Sequence, residues 1–189
     1  MSRNLIIGLL FCIVVGCAAS PERPREILDP QTSATITYSS ATMLLYRDVP
    51  AHAAYAKNLV SLGPLQVNLS GHYRYFLWLG IWNTNFKASE AGGRDGFDSI
   101  ILFVDGEPLA LEISGWTPSA IGASAPVYLQ PVASALDAYY EVTVDQIRFI
   151  AEAGDLSLRT SGFTSHSFEL WDEQLTAKQG FRRFLAVAY

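Results

Sequence analysis

The most reactive side chains in the sequence are two cysteines close to the N-terminus, Cys12 and Cys17. Two nearby thiols could form a disulfide, act as a redox pair or bind a metal ion. Their surroundings favour another origin, because Arg3 is followed by an apolar run and then by small residues, the order of a secretory signal peptide. The run from Leu5 to Val15 has 11 residues, whereas a helix needs about 20 apolar residues to cross a bilayer. We therefore do not expect a permanent membrane span here.

The end of this segment, Val14-Val15-Gly16-Cys17, resembles the lipobox of bacterial lipoproteins, although its first valine replaces the commoner leucine. The resemblance implies that residues 1–16, with Cys12, are a signal peptide that is removed. It also implies that Cys17 is acylated and becomes the new N-terminus, and several acyl chains on one residue anchor a protein stably. By resemblance to lipoprotein sorting in enteric-type bacteria, Ala18 after the cysteine implies transport to the outer membrane. The alternative is an ordinary signal peptide that is cut nearby.

The rest of the chain divides into two parts. Residues 17–35 contain three prolines and alternating charges without apolar periodicity, which predicts an extended tether after the lipidated cysteine. Residues 36–189 are predicted to form a single β-rich globular domain, since the length suits one hydrophobic core. The formal net charge is −5 and no cluster of basic residues occurs, so a nucleic acid is not expected as a partner.

Three isolated histidines, His52, His72 and His166, are candidates for metal ligands or catalytic bases. None has another histidine or a cysteine at the spacing of metal ligands, so neither a metal nor another cofactor is expected. The sequence also lacks the G-x-S-x-G turn of many serine hydrolases. Ser165 adjoins His166, but neighbouring residues on a strand point to opposite faces. A hydrolase whose site is assembled from distant residues is kept as an alternative.

Several carboxylates lie in one glycine-rich segment, residues 87–98, which is predicted to be a loop. A pair of carboxylates could serve glycoside cleavage as acid and base. Loops hold such a pair loosely unless they are packed, so we interpret the segment as a solvated loop. The carboxylates considered are Glu90, Asp95 and Asp98.

An aromatic strand at residues 73–82 is the strongest candidate for binding. Both of its faces are largely apolar, which predicts a central strand that is covered on both sides. Large rings mostly fill the core of a protein, and this is the main interpretation. The sharper hypothesis is an apolar groove for a glycan, a lipid or a partner peptide. Its candidate binding residues are Arg74, Trp78, Trp82 and Trp116.

Local patterns predict the remaining elements. Asp105-Gly106 between two apolar runs predicts a type I′ hairpin that pairs Val104 with Glu107 and Phe103 with Pro108. Because proline donates no ladder hydrogen bond, the strand of Pro108 is predicted to be an edge strand, unless another strand tolerates the proline as a bulge. A short helix is predicted over residues 50–62, ended by Gly63-Pro64.

Two helices are predicted in the C-terminal third. Asp145 and Asp172 are their predicted N-caps. Their predicted buried residues are Ile147, Ile150 and Ala151 in the first helix, and Phe181, Phe184, Leu185 and Ala188 in the second. Together with the hairpins, these helices predict an α+β fold, mainly an antiparallel sheet or sandwich with two short helices.

We therefore expect a lipid-anchored protein of the bacterial cell envelope, held at the outer membrane with its domain in the periplasm. The absence of a coherent catalytic set in the sequence favours a non-enzymatic binding or structural module. Besides the membrane, its expected partner is an envelope protein, a glycan or a lipid. The alternatives are an envelope hydrolase with a dispersed active site, and a small-ligand or lipid-binding module that uses the aromatic groove.

Overall fold

The computed structural model describes residues 23–51, 54–84, 94–162, 164–172 and 174–188. The predicted signal peptide, Cys17, His52 and Glu90 lie outside the described residues. The strands are β1 (Arg25–Leu28), β2 (Thr35–Tyr38), β3 (Met43–Asp48), β4 (Lys57–Leu69), β5 (His72–Asn83), β6 (Ser99–Val104), β7 (Glu107–Gly115), β8 (Leu136–Val142), β9 (Leu156–Thr160) and β10 (Ser167–Leu170). The α-helices are α1 (Val144–Glu152) and α2 (Leu175–Val187), and a short 3₁₀ helix spans Pro118–Ile121.

Eight antiparallel strands form a closed barrel in the order β4–β3–β10–β9–β6–β7–β8–β5, and β5 returns to pair with β4. The predicted α+β sheet or sandwich is therefore wrong. Alternating residues identify strands, but closure depends on pairings between strands that are distant in the sequence, here β5–β8, β6–β9 and β3–β10. Side chains of the strands fill the interior, as expected for a barrel of this size.

Two further strands extend the sheet at β4. The first half of β4 pairs with β3 and its second half pairs with β2, which in turn pairs with β1. Part of the segment 17–35, which was predicted to be a tether, is therefore sheet from Arg25 onwards. The ordered domain thus begins before residue 36.

The helix predicted over residues 50–62 is wrong, because β4 begins at Lys57 and continues through Gly63-Pro64. Along one side of β4, the pairing with β3 extends as far as Leu62, and the pairing with β2 starts at Leu65. Pro64 lies between these two pairings. The carbonyl of Pro64 faces this junction and accepts the N–H of Ser39 at 3.3 Å. The proline nitrogen faces the same side, so no regular ladder bond is lost.

The hairpin between β6 and β7 is confirmed in its turn and its register. Asp105 and Gly106 have φ of 51° and 86°, as a type I′ turn requires, and Val104 pairs with Glu107. The predicted edge position of β7 is wrong, because β8 pairs with it near Ile113. Pro108 lies towards the turn, away from the residues of β7 that pair with β8, where its missing N–H is tolerated.

Both helices cover the barrel end at which β8 and β10 finish, and they contact each other. The predicted buried residues of both helices are confirmed, from Ile147 to Ala188. The predicted N-caps are wrong. Thr143 caps α1 in a reciprocal capping box with Gln146, and α2 begins after Gln174, which has a left-handed backbone. In the described part of the chain, neither helix has the length and apolar composition needed to cross a bilayer.

A second apolar cluster lies outside the barrel, on the outer faces of β4, β5 and β8. Residues 116–135, which we call the strap, cross this face and contribute Ile121, Ala123, Val127 and Tyr128 to the cluster. The carboxylate of Asp29 holds the strap by accepting the N–H and the hydroxyl of Ser124. The prediction that β5 is covered on both faces is therefore confirmed.

Candidate anion-binding site at the helix-free end of the barrel

The barrel end opposite α1 and α2, which we call the helix-free end, carries a cation on its inner wall. Leu45 of β3 points into the core, so Arg47, two residues later, faces the same way. The guanidinium carbon of Arg47 lies 5.9 Å from the centre of the Phe168 ring. Nε of Arg47 is buried and has no hydrogen-bond partner among the described residues. Burial lowers the pKa of Arg47, which shows that its charge is partly removed from water.

His166 lies at the same end, after the turn between β9 and β10. The backbone N–H of His166 donates to Oγ1 of Thr160 at 2.9 Å, and the backbone N–H of Thr160 donates to the carbonyl of His166 at the same distance. The pKa of His166 is lowered, first by burial and then by the positive charge of Arg47, while Asp95 acts in the opposite direction. Arg47 and His166 therefore lie close enough to repel each other when both are charged.

Aromatic side chains form the apolar surroundings of this site. Phe97 is buried, and its ring centre lies 5.9 Å from that of Phe168. The hydroxyl of Tyr140 donates to the carbonyl of Phe97, which ties Phe97 to the barrel core. Electrostatic attraction is stronger beside such apolar groups than in water, so the half-buried guanidinium of Arg47 can attract an anion effectively.

The other described ion pairs do not neutralise Arg47. Lys57 pairs with Asp48, Arg74 with Glu141, and Arg148 with Asp145. Among the described residues, Arg47 forms no salt bridge. An unpaired guanidinium is a strong donor for carboxylate or phosphate groups, which accept its N–H groups in a planar geometry. The arrangement can therefore hold one small anionic group by Arg47, with the imidazole of His166 nearby.

The residues of the predicted aromatic groove have other partners. Trp78 is 1% exposed, lies 4.5 Å from the stacked ring of Tyr128 and donates to Asp137 at 2.8 Å. Its indole is thus covered by the strap. Arg74 forms two hydrogen bonds with Glu141, at 2.9 and 2.7 Å.

The two remaining tryptophans of that hypothesis are half-buried. Trp82 donates to the hydroxyl of Ser61 at 3.4 Å. Trp116 donates to Asp98 at 3.3 Å and packs against the barrel core rather than the outer cluster. The structure therefore distributes the four candidates over different surroundings and does not unite their rings in one groove.

The fold also gives the positions of the histidine and serine residues of the hydrolase alternative. His72 is exposed at the tip of the β4–β5 hairpin. The hydroxyl of Ser165 donates to the carbonyl of Thr160 at 2.9 Å, so that hydrogen bond does not orient it towards His166. In the described residues, no three histidine, cysteine or acidic side chains cluster as a metal site would need.

Arg47 was missed as a candidate in the sequence, although its signal is visible there. Met43, Leu45 and Arg47 alternate, so a charged residue follows two apolar residues on the same face of a strand. A cation at an inward position at the end of a strand is unusual enough to mark a candidate site.

The fold and the site together define a closed, side-chain-filled antiparallel barrel with a cation on its inner wall. No protein-family model, curated protein or solved structure matches the chain. The candidate function therefore depends on the geometry of these residues and on the N-terminal sequence.

Proposed function

We propose that this protein is a lipid-anchored component of the bacterial cell envelope, held at the outer membrane by acyl chains on Cys17. Its periplasmic domain acts as a non-enzymatic module that binds an anionic group of an envelope partner. The binding group is the guanidinium of Arg47. The observation that carries this proposal is the buried Nε of Arg47, which has no hydrogen-bond partner among the described residues.

The energetics of the site support a binding role. Burying the Nε–H group of Arg47 without a partner costs free energy, and a carboxylate or phosphate group would offset that cost through a charge-assisted hydrogen bond. An anion beside Arg47 would also relieve its repulsion with protonated His166. Anion binding is therefore expected to raise the pKa of His166 towards its usual range.

Nuclear magnetic resonance on the mature protein tests the binding site, with sodium phosphate and sodium acetate as probes at constant ionic strength. The Nε–H signal of Arg47 and the imidazole signals of His166 should shift together along one saturable curve. Arg47→Met should abolish the His166 shift. Arg159→Met is the matched control, since Arg159 is exposed and its guanidinium lies 4.9 Å from the Phe103 ring.

Two results would contradict the binding site. One is a shift that grows linearly to the highest probe concentration, which indicates weak contact with ions in solution. The other is a probe-induced shift of the His166 signals that is as large in Arg47→Met as in the wild type. The anchor is tested separately by intact mass: mature wild-type protein should carry acyl chains, and Cys17→Ala protein should carry none.

A further inference from the structure

One corner of the sheet extension combines exposed apolar side chains from three strands. Leu28 of β1 is 69% exposed, Tyr73 of β5 is 53% exposed and Leu69 of β4 is 48% exposed. Ile27 of β1, at 39%, adjoins them. We call these four residues the apolar corner.

The strand register places the corner residues at the same end of the sheet. Leu28 pairs with Thr35, Thr35 with Asn68, and Asn68 with Tyr73. Neighbouring strands lie about 4.8 Å apart, so β1 and β5 are separated by about 15 Å at this level. Leu69 follows Asn68 directly at the tip of the β4–β5 hairpin. The four side chains therefore lie at one end of the sheet, with Leu28 and Tyr73 on one face and Ile27 and Leu69 on the other.

The length of chain before β1 limits how far this corner can lie from the acylated residue. Eight residues lead from Cys17 to Arg25, and they can span at most about 29 Å. The predicted longer tether is thus shortened by the strand β1. Because β1 begins within this distance of the acylated residue, the corner can reach the lipid surface.

The composition of the corner fits the interface of a bilayer. Tyrosine and leucine side chains are favoured where a protein surface meets lipid headgroups. Arg23 and Arg25 lie four and two residues before Ile27 and suit the anionic headgroups of bacterial lipids, while the acidic Glu26 separates Arg25 from Ile27. Among the described residues, β1 pairs with β2 alone, so its other edge is left for such contact.

We propose that the apolar corner docks on the lipid surface to which the protein is anchored, so that the domain lies against the membrane in one orientation. This proposal rests on the proposed acylation of Cys17. It places Leu28, Leu69 and Tyr73 at the depth of the headgroups. The helix-free end of the barrel then keeps a defined direction relative to the bilayer.

A single introduced thiol tests this orientation. If Cys17 is a thioether, the mature protein has no other thiol, and a fluorescent maleimide will label only an introduced cysteine. The variants are Leu69→Cys and Tyr73→Cys, expressed as full precursors and reconstituted in vesicles of phosphatidylethanolamine and phosphatidylglycerol. Leu129→Cys is the matched control, because Leu129 is a 93% exposed leucine of the strap. Its neighbour Tyr128 packs at Gly63, about 20 Å along β4 from Leu69.

Lipids with nitroxide headgroups should quench the corner labels at least about twofold more than the Leu129 label, because only the corner would lie in the interface. Equal quenching of corner and control labels would overturn the proposal. A spectral shift that depends on protein density without quenching would also overturn it, since it indicates a second copy at the corner.

Failure of the anchor gives a different result from failure of the docking. If wild-type protein accepts the maleimide at Cys17 and does not float with the vesicles, the proposed acylation is wrong. If wild-type protein floats and remains unlabelled, but the corner labels stay unquenched, the anchor holds and the docking is wrong.

Discussion

Replacement of Gly80 by alanine tests the packing of the outer cluster. A Cβ atom at Gly80 would lie 2.4 Å from Cη2 and 2.5 Å from Cζ2 of Trp78, whereas ordinary contacts begin near 3.4 Å. The indole would have to move by about 1 Å to remove this overlap. It is held on two sides, by the hydrogen bond from Nε1 to Asp137 and by the stacked ring of Tyr128. The ring therefore cannot yield without loss of one of these contacts.

The expected cost follows from those contacts. Overpacking a well-filled site costs about 1–3 kcal/mol. Loss of the buried hydrogen bond to Asp137 costs about 1–3 kcal/mol. Alanine regains about 0.5–1 kcal/mol over glycine in a strand, because its unfolded chain is less flexible. Together these contributions predict that Gly80→Ala lowers the free energy of unfolding by about 1–5 kcal/mol.

Urea unfolding followed by far-ultraviolet circular dichroism measures this change without depending on tryptophan fluorescence. The control is the same substitution in a Trp78→Leu background, where no ring covers residue 80. There Gly80→Ala should raise the free energy of unfolding by about 0.5–1 kcal/mol, the gain of alanine over glycine alone, and the difference between backgrounds isolates the contact. An equal cost in both backgrounds, or a cost below about 0.5 kcal/mol in the wild type, would refute the packing described for Trp78.

Three further predictions concern pH, a helix cap and the strap. The lowered pKa of His166 means that protonation opposes folding. The free energy of unfolding should therefore fall as pH drops below about 6.5. Urea unfolding between pH 8 and 5 measures this dependence, and His166→Asn should weaken it. Thr143→Ala should cost about 1 kcal/mol in the same assay, whereas Asp145→Ala should cost a few tenths, and the reverse order would contradict the capping box. Hydrogen bonds from Ser124 hold the pKa of Asp29 well below its usual range. Asp29→Asn should therefore speed amide exchange and limited proteolysis within residues 116–135. Unchanged rates would show that this contact does not hold the strap.

Short-range features of the fold could be predicted because their causes are local. The Asp105-Gly106 turn follows from two neighbouring residues that tolerate positive φ, and its register follows from the turn. The buried faces of α1 and α2 follow from apolar residues at helical spacing. The burial of β5 on both faces follows from apolar residues at consecutive positions.

The failed predictions share a long-range cause. Gly63-Pro64 has the composition of a chain break, but the exchange of β3 for β2 beside β4 leaves room for a proline inside a strand. The edge position of β7 was inferred from Pro108 alone, yet β8 pairs with the far half of the strand. Local composition cannot reveal which distant strand becomes a neighbour.

The candidate site shows the same division. The sequence by itself determined that Cys12 and Cys17 stand in a segment resembling a lipoprotein signal, and that strands and two amphipathic helices follow. Only the tertiary structure decided that the sheet closes, that the strap buries Trp78, and that Arg47 comes close to His166 and Phe168. The physical reason is that strand propensity and turn geometry act between residues near in sequence, whereas barrel closure and the burial of a charge depend on pairings between β3, β9 and β10.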